Sequence, residues 1–131
     1  MSNINYQECH FMFNPGYILL YVSSPQASAA FYSELLGLTP IENSDTFALF
    51  KLTSGVMLGL WSAATVEPAA TAVGGSELAF SVADKATVDA THAQWAARGL
   101  TIVQTPCALD FGYTFVALDA DGHRLRVFTP G

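Results

Sequence analysis

Residues 22–38 read VSSPQASAAFYSELLGL. Ser24 stands where a helix needs an N-cap. Pro25 brings the fixed φ of a first helical position, and Gly37 suits the left-handed residue that stops a helix. Between these stops Ala27, Ala30, Phe31, Leu35 and Leu38 recur at helical spacing. The run just before, GYILLYV (16–22), is β-branched, aromatic and apolar at both parities. Tyr17, Leu19 and Tyr21 lie on one side, Ile18, Leu20 and Val22 on the other. A strand apolar on both sides is expected to be covered on both sides. The stretch reads as strand into helix.

Working outward, TPIEN (39–43), TFALFKL (46–52) and VMLGLWS (56–62) read as three short strands, with Asn43-Ser44-Asp45 and Thr53-Ser54-Gly55 as turns. AATVEPAATAVGG (63–75) is small, non-periodic and Pro- and Gly-containing, as a linker is. ELAFSV (77–82) then opens a second round. A helix is expected from about Asp84 to Arg98, with Asp84 near its cap, Gly99 as its stop, and Val88, Thr91, His92 and Trp95 on one stripe. LTIVQT (100–105), FGYTFVALD (111–119) and HRLRVFT (123–129) supply three more strands. Strand, helix, strand, strand, strand thus occurs twice, although the halves share few identities. The expected class is α+β, one domain over 1–131. Two βαβββ modules, about 16–62 and 76–128, would form a curved mixed sheet with a concave ligand cup and helices on the convex face.

The composition narrows the function. Hydrophobic residues make up 51% of the 131 and charged residues only 12%, about half the usual charged share. Such a chain has little polar surface to cover itself, so apolar area is expected in a subunit interface, a ligand cleft or both. The net charge of −6 argues against general nucleic-acid binding, which needs a basic footprint. Cys9 and Cys107 have no zinc spacing and read as free thiols in a reducing cytoplasm. MSNINYQECHFMFNPG (1–16) lacks a basic start followed by an apolar stretch, so no secretory signal is expected. No uncharged apolar run reaches bilayer length. The expectation is a soluble cytoplasmic protein with no nucleic-acid or membrane partner. There is no Gly-x-Ser-x-Gly elbow and no Gly-rich phosphate loop.

Two motifs, SPQASAAFYSELLG (24–37) and FVALDADGH (115–123), together with the doubled module, resemble the vicinal oxygen chelate superfamily. That superfamily includes glyoxalase I, bleomycin resistance protein and extradiol dioxygenases, and the resemblance spans about 16–128. It implies a divalent metal held by His and Glu side chains on four inner strands. Carried over, those positions are Tyr17, Gly59, Glu77 and Arg126. A tyrosine, a glycine and an arginine cannot replace such ligands. No metal, no cofactor and no catalytic residue is therefore expected. His10, His92 and His123 lie elsewhere, in the N-terminal segment, on a helix and in a turn.

If the four positions mark the concave face, strand parity completes it. It then carries Tyr17, Leu19 and Tyr21; Met57, Gly59 and Trp61; Glu77, Ala79 and Ser81; and Arg124, Arg126 and Phe128. Tyr113 and Phe115 are added from the seventh strand, where a one-residue slip would invert the face. An aromatic face with few polar groups suits a flat apolar ligand. Gly59 would let a ring approach the backbone, and Trp61 would stack on it. Plainer readings stand beside these. Trp61 serves core or dimer packing, Arg126 pairs with Glu77, Arg124 is solvated, and His92, Tyr17 and Tyr21 are packing residues.

The function expected is metal-free sequestration of a planar aromatic, anionic compound such as a phenazine-like antibiotic. FALFKLTSGVMLGLWS (47–62), VDATHAQW (88–95) and FGYTF (111–115) resemble the phenazine antibiotic resistance type, which implies a homodimer. On that reading an arginine meets the ligand's negative charge. The alternatives are a metal-dependent lyase, isomerase or dioxygenase with displaced ligands, and a structural or regulatory dimer with a vestigial cup.

Overall fold

A computed structural model describes residues 14–130. Ser24 Oγ accepts from the Ala27 N–H at 3.2 Å and opens α1, Pro25–Leu36, which Gly37 closes at φ 68°. The buried stripe of α1 is Pro25, Ser28, Ala29 and Tyr32. This corrects the expected stripe: Ala27 and Ala30 face solvent, and Phe31 and Leu35 are half-buried. Small Ser28 and Ala29 let the helix lie close to the sheet, while Tyr32 is wholly buried.

The chain divides into two compact units between Ala70 and Thr71, inside the expected linker. In the first, β1 (Tyr17–Val22), β2 (Glu42–Asn43), β3 (Phe47–Lys51) and β4 (Met57–Ser62) form a mixed sheet in the order β1-β4-β3-β2. Only β1 and β4 are parallel. β2 is shorter than TPIEN promised, because Pro40 cannot donate to a ladder. Leu20, Val22, Ala48, Phe50, Leu58 and Leu60 are buried on the face that receives α1. β1 is an edge strand, and its other face is open: Tyr17 is 62% exposed, Leu19 42% and Tyr21 39%. Among the described residues the expectation that this strand is covered on both sides is not met.

The second unit repeats the order with β5 (Glu77–Ser81), α2 (Lys85–Ala97), β6 (Thr101–Leu109), β7 (Gly112–Leu118) and β8 (Arg124–Pro130). The strands run β5-β8-β7-β6, with β5 parallel to β8. Asp84 caps α2 by accepting from the Thr87 N–H at 2.8 Å, and Gly99 follows the helix at φ 88°. Val88 and Trp95 are buried and Thr91 and His92 half-buried, so the expected stripe holds. Trp95 meets Phe80 and Phe115 edge-on, with ring centroids 6.0 and 5.4 Å apart, and His92 meets Phe115 at 5.3 Å. β6 runs four residues past its expected end and breaks register twice, between Ile102 and Gln104 and between Gln104 and Cys107. The fold is α+β, with two four-stranded mixed sheets, one from each module. No helix among the described residues is long and apolar enough to cross a membrane.

Candidate functional site

Register brings the expected first-module residues onto one face. Tyr17 lies opposite Met57, Leu19 opposite Gly59 and Tyr21 opposite Trp61, while β3 sets Phe47 opposite Trp61. Tyr17, Leu19, Phe47 and Trp61 line an almost wholly apolar hollow of about 380 Å³. Phe47 and Trp61 meet edge to face, their centroids 6.1 Å apart. The space beside Gly59 is already used. A Cβ there would lie 2.6 Å from Leu19 Cδ2 and 3.0 Å from Phe47 Cζ. The glycine thus lets Leu19 and Phe47 close over the backbone, and the hollow lies beyond them. Phe47 was missed as a site residue, yet its parity with Trp61 across a tight turn could have placed it.

In the second unit the face of β5 and β8 carries Glu77, Arg124, Arg126 and Phe128. Arg126 is held from several sides. Its Nε donates to Glu77 Oε1 at 2.5 Å and an Nη donates to Glu77 Oε2 at 3.4 Å. The other Nη donates to Thr114 Oγ1 at 3.3 Å and to Gln104 Oε1 at 3.4 Å. Thr114, fully buried, spends its own hydroxyl proton on the Val127 carbonyl at 2.8 Å, which leaves lone pairs for the arginine. The guanidinium carbon sits 5.6 Å from the centre of the Phe111 ring, and Phe111 also packs edge-on against Phe128. Of the two expected partners for Arg126, Glu77 is the one this structure supplies. Thr114, Gln104 and Phe111 went unread as its supports.

Tyr113 and Phe115 belong to the opposite face, which corrects their expected place in the cup. β7 pairs with β8 so that Thr114, Val116 and Leu118 stand with Phe128, Arg126 and Arg124. The odd-numbered residues therefore point to α2. Phe115 is completely buried against His92 and Trp95. Tyr113 donates its hydroxyl to Asp89 at 2.8 Å, and Lys85 Nζ lies 5.6 Å from its ring centre. The bond to Asp89 favours the protonated phenol and lifts its pKa above the ordinary value. Parity alone could not warn of this, because GYTFVAL carries apolar or aromatic residues on both faces, with Thr114 the one small polar exception. His123 sits in the β7–β8 turn, and Cys107 is a free, half-buried thiol. His10 and Cys9 lie outside the described residues.

The four positions that a metal-binding relative would use do not form a donor set. Gly59 has no side chain, Arg126 is a cation, and both Glu77 oxygens accept from Arg126. Among the described residues no three His, Cys, Asp or Glu side chains gather closely enough to hold an ion.

Residues 14–127 match the family model of the Glyoxalase/Bleomycin resistance protein/Dioxygenase superfamily. The chain belongs to that superfamily. The solution NMR structure of protein ATC0852 from Agrobacterium tumefaciens is 51% identical, with a TM-score of 0.85, over 92% of this chain and 99% of that one. The phenazine antibiotic resistance protein EhpR of Enterobacter agglomerans is 27% identical over 116 residues, 86% of this chain and 89% of EhpR. A superfamily enzyme from Burkholderia phytofirmans PsJN is 23% identical with a TM-score of 0.78, over 90% of this chain and 99% of the other. At that identity the likeness is one of fold. Within the superfamily, the turn motif of this chain is a structural device. Asp119, nearly buried, accepts at Oδ1 from the N–H groups of Asp121 and His123, each at 2.9 Å. Gly122 follows at φ 90°.

Proposed function

We propose that this superfamily member is a metal-free binding protein that sequesters a planar aromatic compound of the phenazine kind. The observation that carries the reading is the open aromatic face of β1 and β4. Tyr17, Leu19, Phe47 and Trp61 line an apolar hollow there, and on this face β1 leaves Tyr17, Leu19 and Tyr21 exposed. Exposing such a face costs free energy that a flat hydrophobic ligand would recover, at roughly 25 cal/mol per Å² of apolar surface covered. The indole of Trp61 offers a broad stacking surface. The resistance role in the name of EhpR supports the choice of ligand class. The mismatch of Tyr17, Gly59 and Arg126 to metal binding, with Glu77 engaged by Arg126, supports sequestration over metal-assisted chemistry. The same reading includes a cytoplasmic homodimer, since a second copy would cover more of the apolar surface.

Titration with phenazine-1-carboxylate, followed by tryptophan fluorescence, tests it. Trp95 is buried among Phe80 and Phe115 and serves as the internal reference. Saturable quenching that is mostly lost in Trp61→Ala is expected. No quenching up to millimolar ligand, or equal quenching in Trp61→Ala, would sink the stacking role. Elemental analysis of the purified protein tests the second half. Stoichiometric zinc, nickel, manganese or iron would overturn the metal-free reading, and a monomer on sizing would overturn the dimer.

A further inference from the structure

The two arginines of β8 share a face but not a fate. By backbone register Glu77 stands opposite Arg124, with Arg126 one step further along. The carboxylate nevertheless gives both its oxygens to Arg126. That choice follows from the surroundings: Gln104, Thr114 and the Phe111 ring already hold the Arg126 fork in place. Arg124 is left exposed, and no described residue pairs with it. Arg124 borders a hollow of about 580 Å³ whose wall includes Gly74, Gly75, Ser76 and Gly122. A Cβ at any of those three glycines would meet nothing within 4 Å, so the wall is open. Gly74 and Gly75 both have positive φ, and the N–H groups of Gly74, Gly75 and Ser76 donate to no described residue. Glu77 also borders the hollow, but its charge is neutralised by Arg126.

We infer that this hollow is an oxyanion site in which Arg124 is the charged anchor. The planar guanidinium offers two parallel N–H donors to a carboxylate or phosphoryl group. Unpaired backbone N–H groups in the adjoining loop can add neutral donors, as they do in other anion-binding turns. The assignment goes beyond aromatic sequestration and stands without it, because every residue involved belongs to the second unit. It also moves the anion contact from Arg126, which is occupied, to Arg124.

Nitrogen-15 NMR of the full chain at constant ionic strength, with chloride as the balancing salt, provides the test. Benzoate and inorganic phosphate are titrated separately. Saturable shifts are expected at the Arg124 Nε–H and at the amides of Gly74, Gly75 and Ser76. Arg124→Gln should weaken the binding roughly tenfold or more, the loss of one charge-assisted contact. Arg124→Lys should fall between, keeping the charge and losing the fork. Tighter benzoate identifies a carboxylate ligand, tighter phosphate a phosphoryl ligand, and either supports the site. Shifts that do not saturate, that persist in Arg124→Gln, or that spread equally to Lys85 and Arg98 would overturn it. Since Arg124 is exposed, the rest of the Arg124→Gln spectrum should match the wild type and so report that the fold is intact.

Discussion

Replacing Glu77 with Gln would test how Arg126 is held. The side chains of the pair are 17% and 30% exposed, between a surface bridge and a buried one. Opposite charges 4 Å apart at an effective dielectric constant of 20 attract by about 4 kcal/mol. Desolvation takes back part of that. Exposed pairs are worth up to about 1 kcal/mol, whereas stripping one partner from a buried pair costs about 3–5 kcal/mol. Glu77→Gln keeps the shape and one acceptor but removes the counter-charge, and sets an amide N–H₂ against a guanidinium N–H₂. A loss of about 2 kcal/mol is expected, intermediate between those limits. Urea unfolding measures it, read together with Arg126→Met and the double variant Glu77→Gln/Arg126→Met. The double variant should be more stable than the sum of the single losses, because removing both charges leaves none unpaired. Glu77→Gln within about 0.5 kcal/mol of wild type, or strict additivity in the cycle, would show a solvated pair and refute the reasoning.

Two further outcomes follow from the second unit. Hydrogen bonds from the Thr87 hydroxyl and backbone N–H hold the Asp84 carboxyl below its ordinary pKa. The stability it contributes is therefore present above the ordinary value and lost as pH falls through the lowered one. Asp84→Ala should narrow the stability gap to wild type below about pH 4, and a gap independent of pH there would count against the cap. Phe115→Ala should cost about 3–5 kcal/mol and red-shift Trp95 emission, as deletion of a buried ring does. A loss under about 1 kcal/mol would return Phe115 to an open face.

The helices were legible because their ends carry unambiguous chemistry: Ser24 with Pro25 and Gly37, then Asp84 and Gly99. The faces of β4, β5 and β8 were legible too, since parity there is tied to charge or to glycine. β7 was not. Apolar or aromatic residues stand at both parities, and the aromatic ones draw the reading toward the cup. A count from the turn would have settled it. Leu118 pairs with Arg124 across the five residues 119–123, so even-numbered residues stand with even-numbered ones. The extent of β1's exposure was equally hidden, because a sequence apolar on both faces does not say which face the chain itself covers. The hollow at Arg124 left no mark beyond a pair of glycines, since its character comes from which arginine Glu77 chooses.

That choice shows how a motif can hold its geometry while the side chain at one position differs in charge. Asp119 gathers the amides of Asp121 and His123, and so fixes the length of the turn. The length fixes the β7–β8 register, and the register sets Val116 beside Arg126 with Thr114 within reach of its guanidinium. None of these steps depends on whether residue 126 is a carboxylate or a guanidinium. The motif therefore preserves the geometry of the face while the chemistry at that position is free to change. With arginine there, the nearest carboxylate, Glu77, becomes its counter-ion rather than a ligand. The second arginine is released toward solvent, where an incoming anion can meet it.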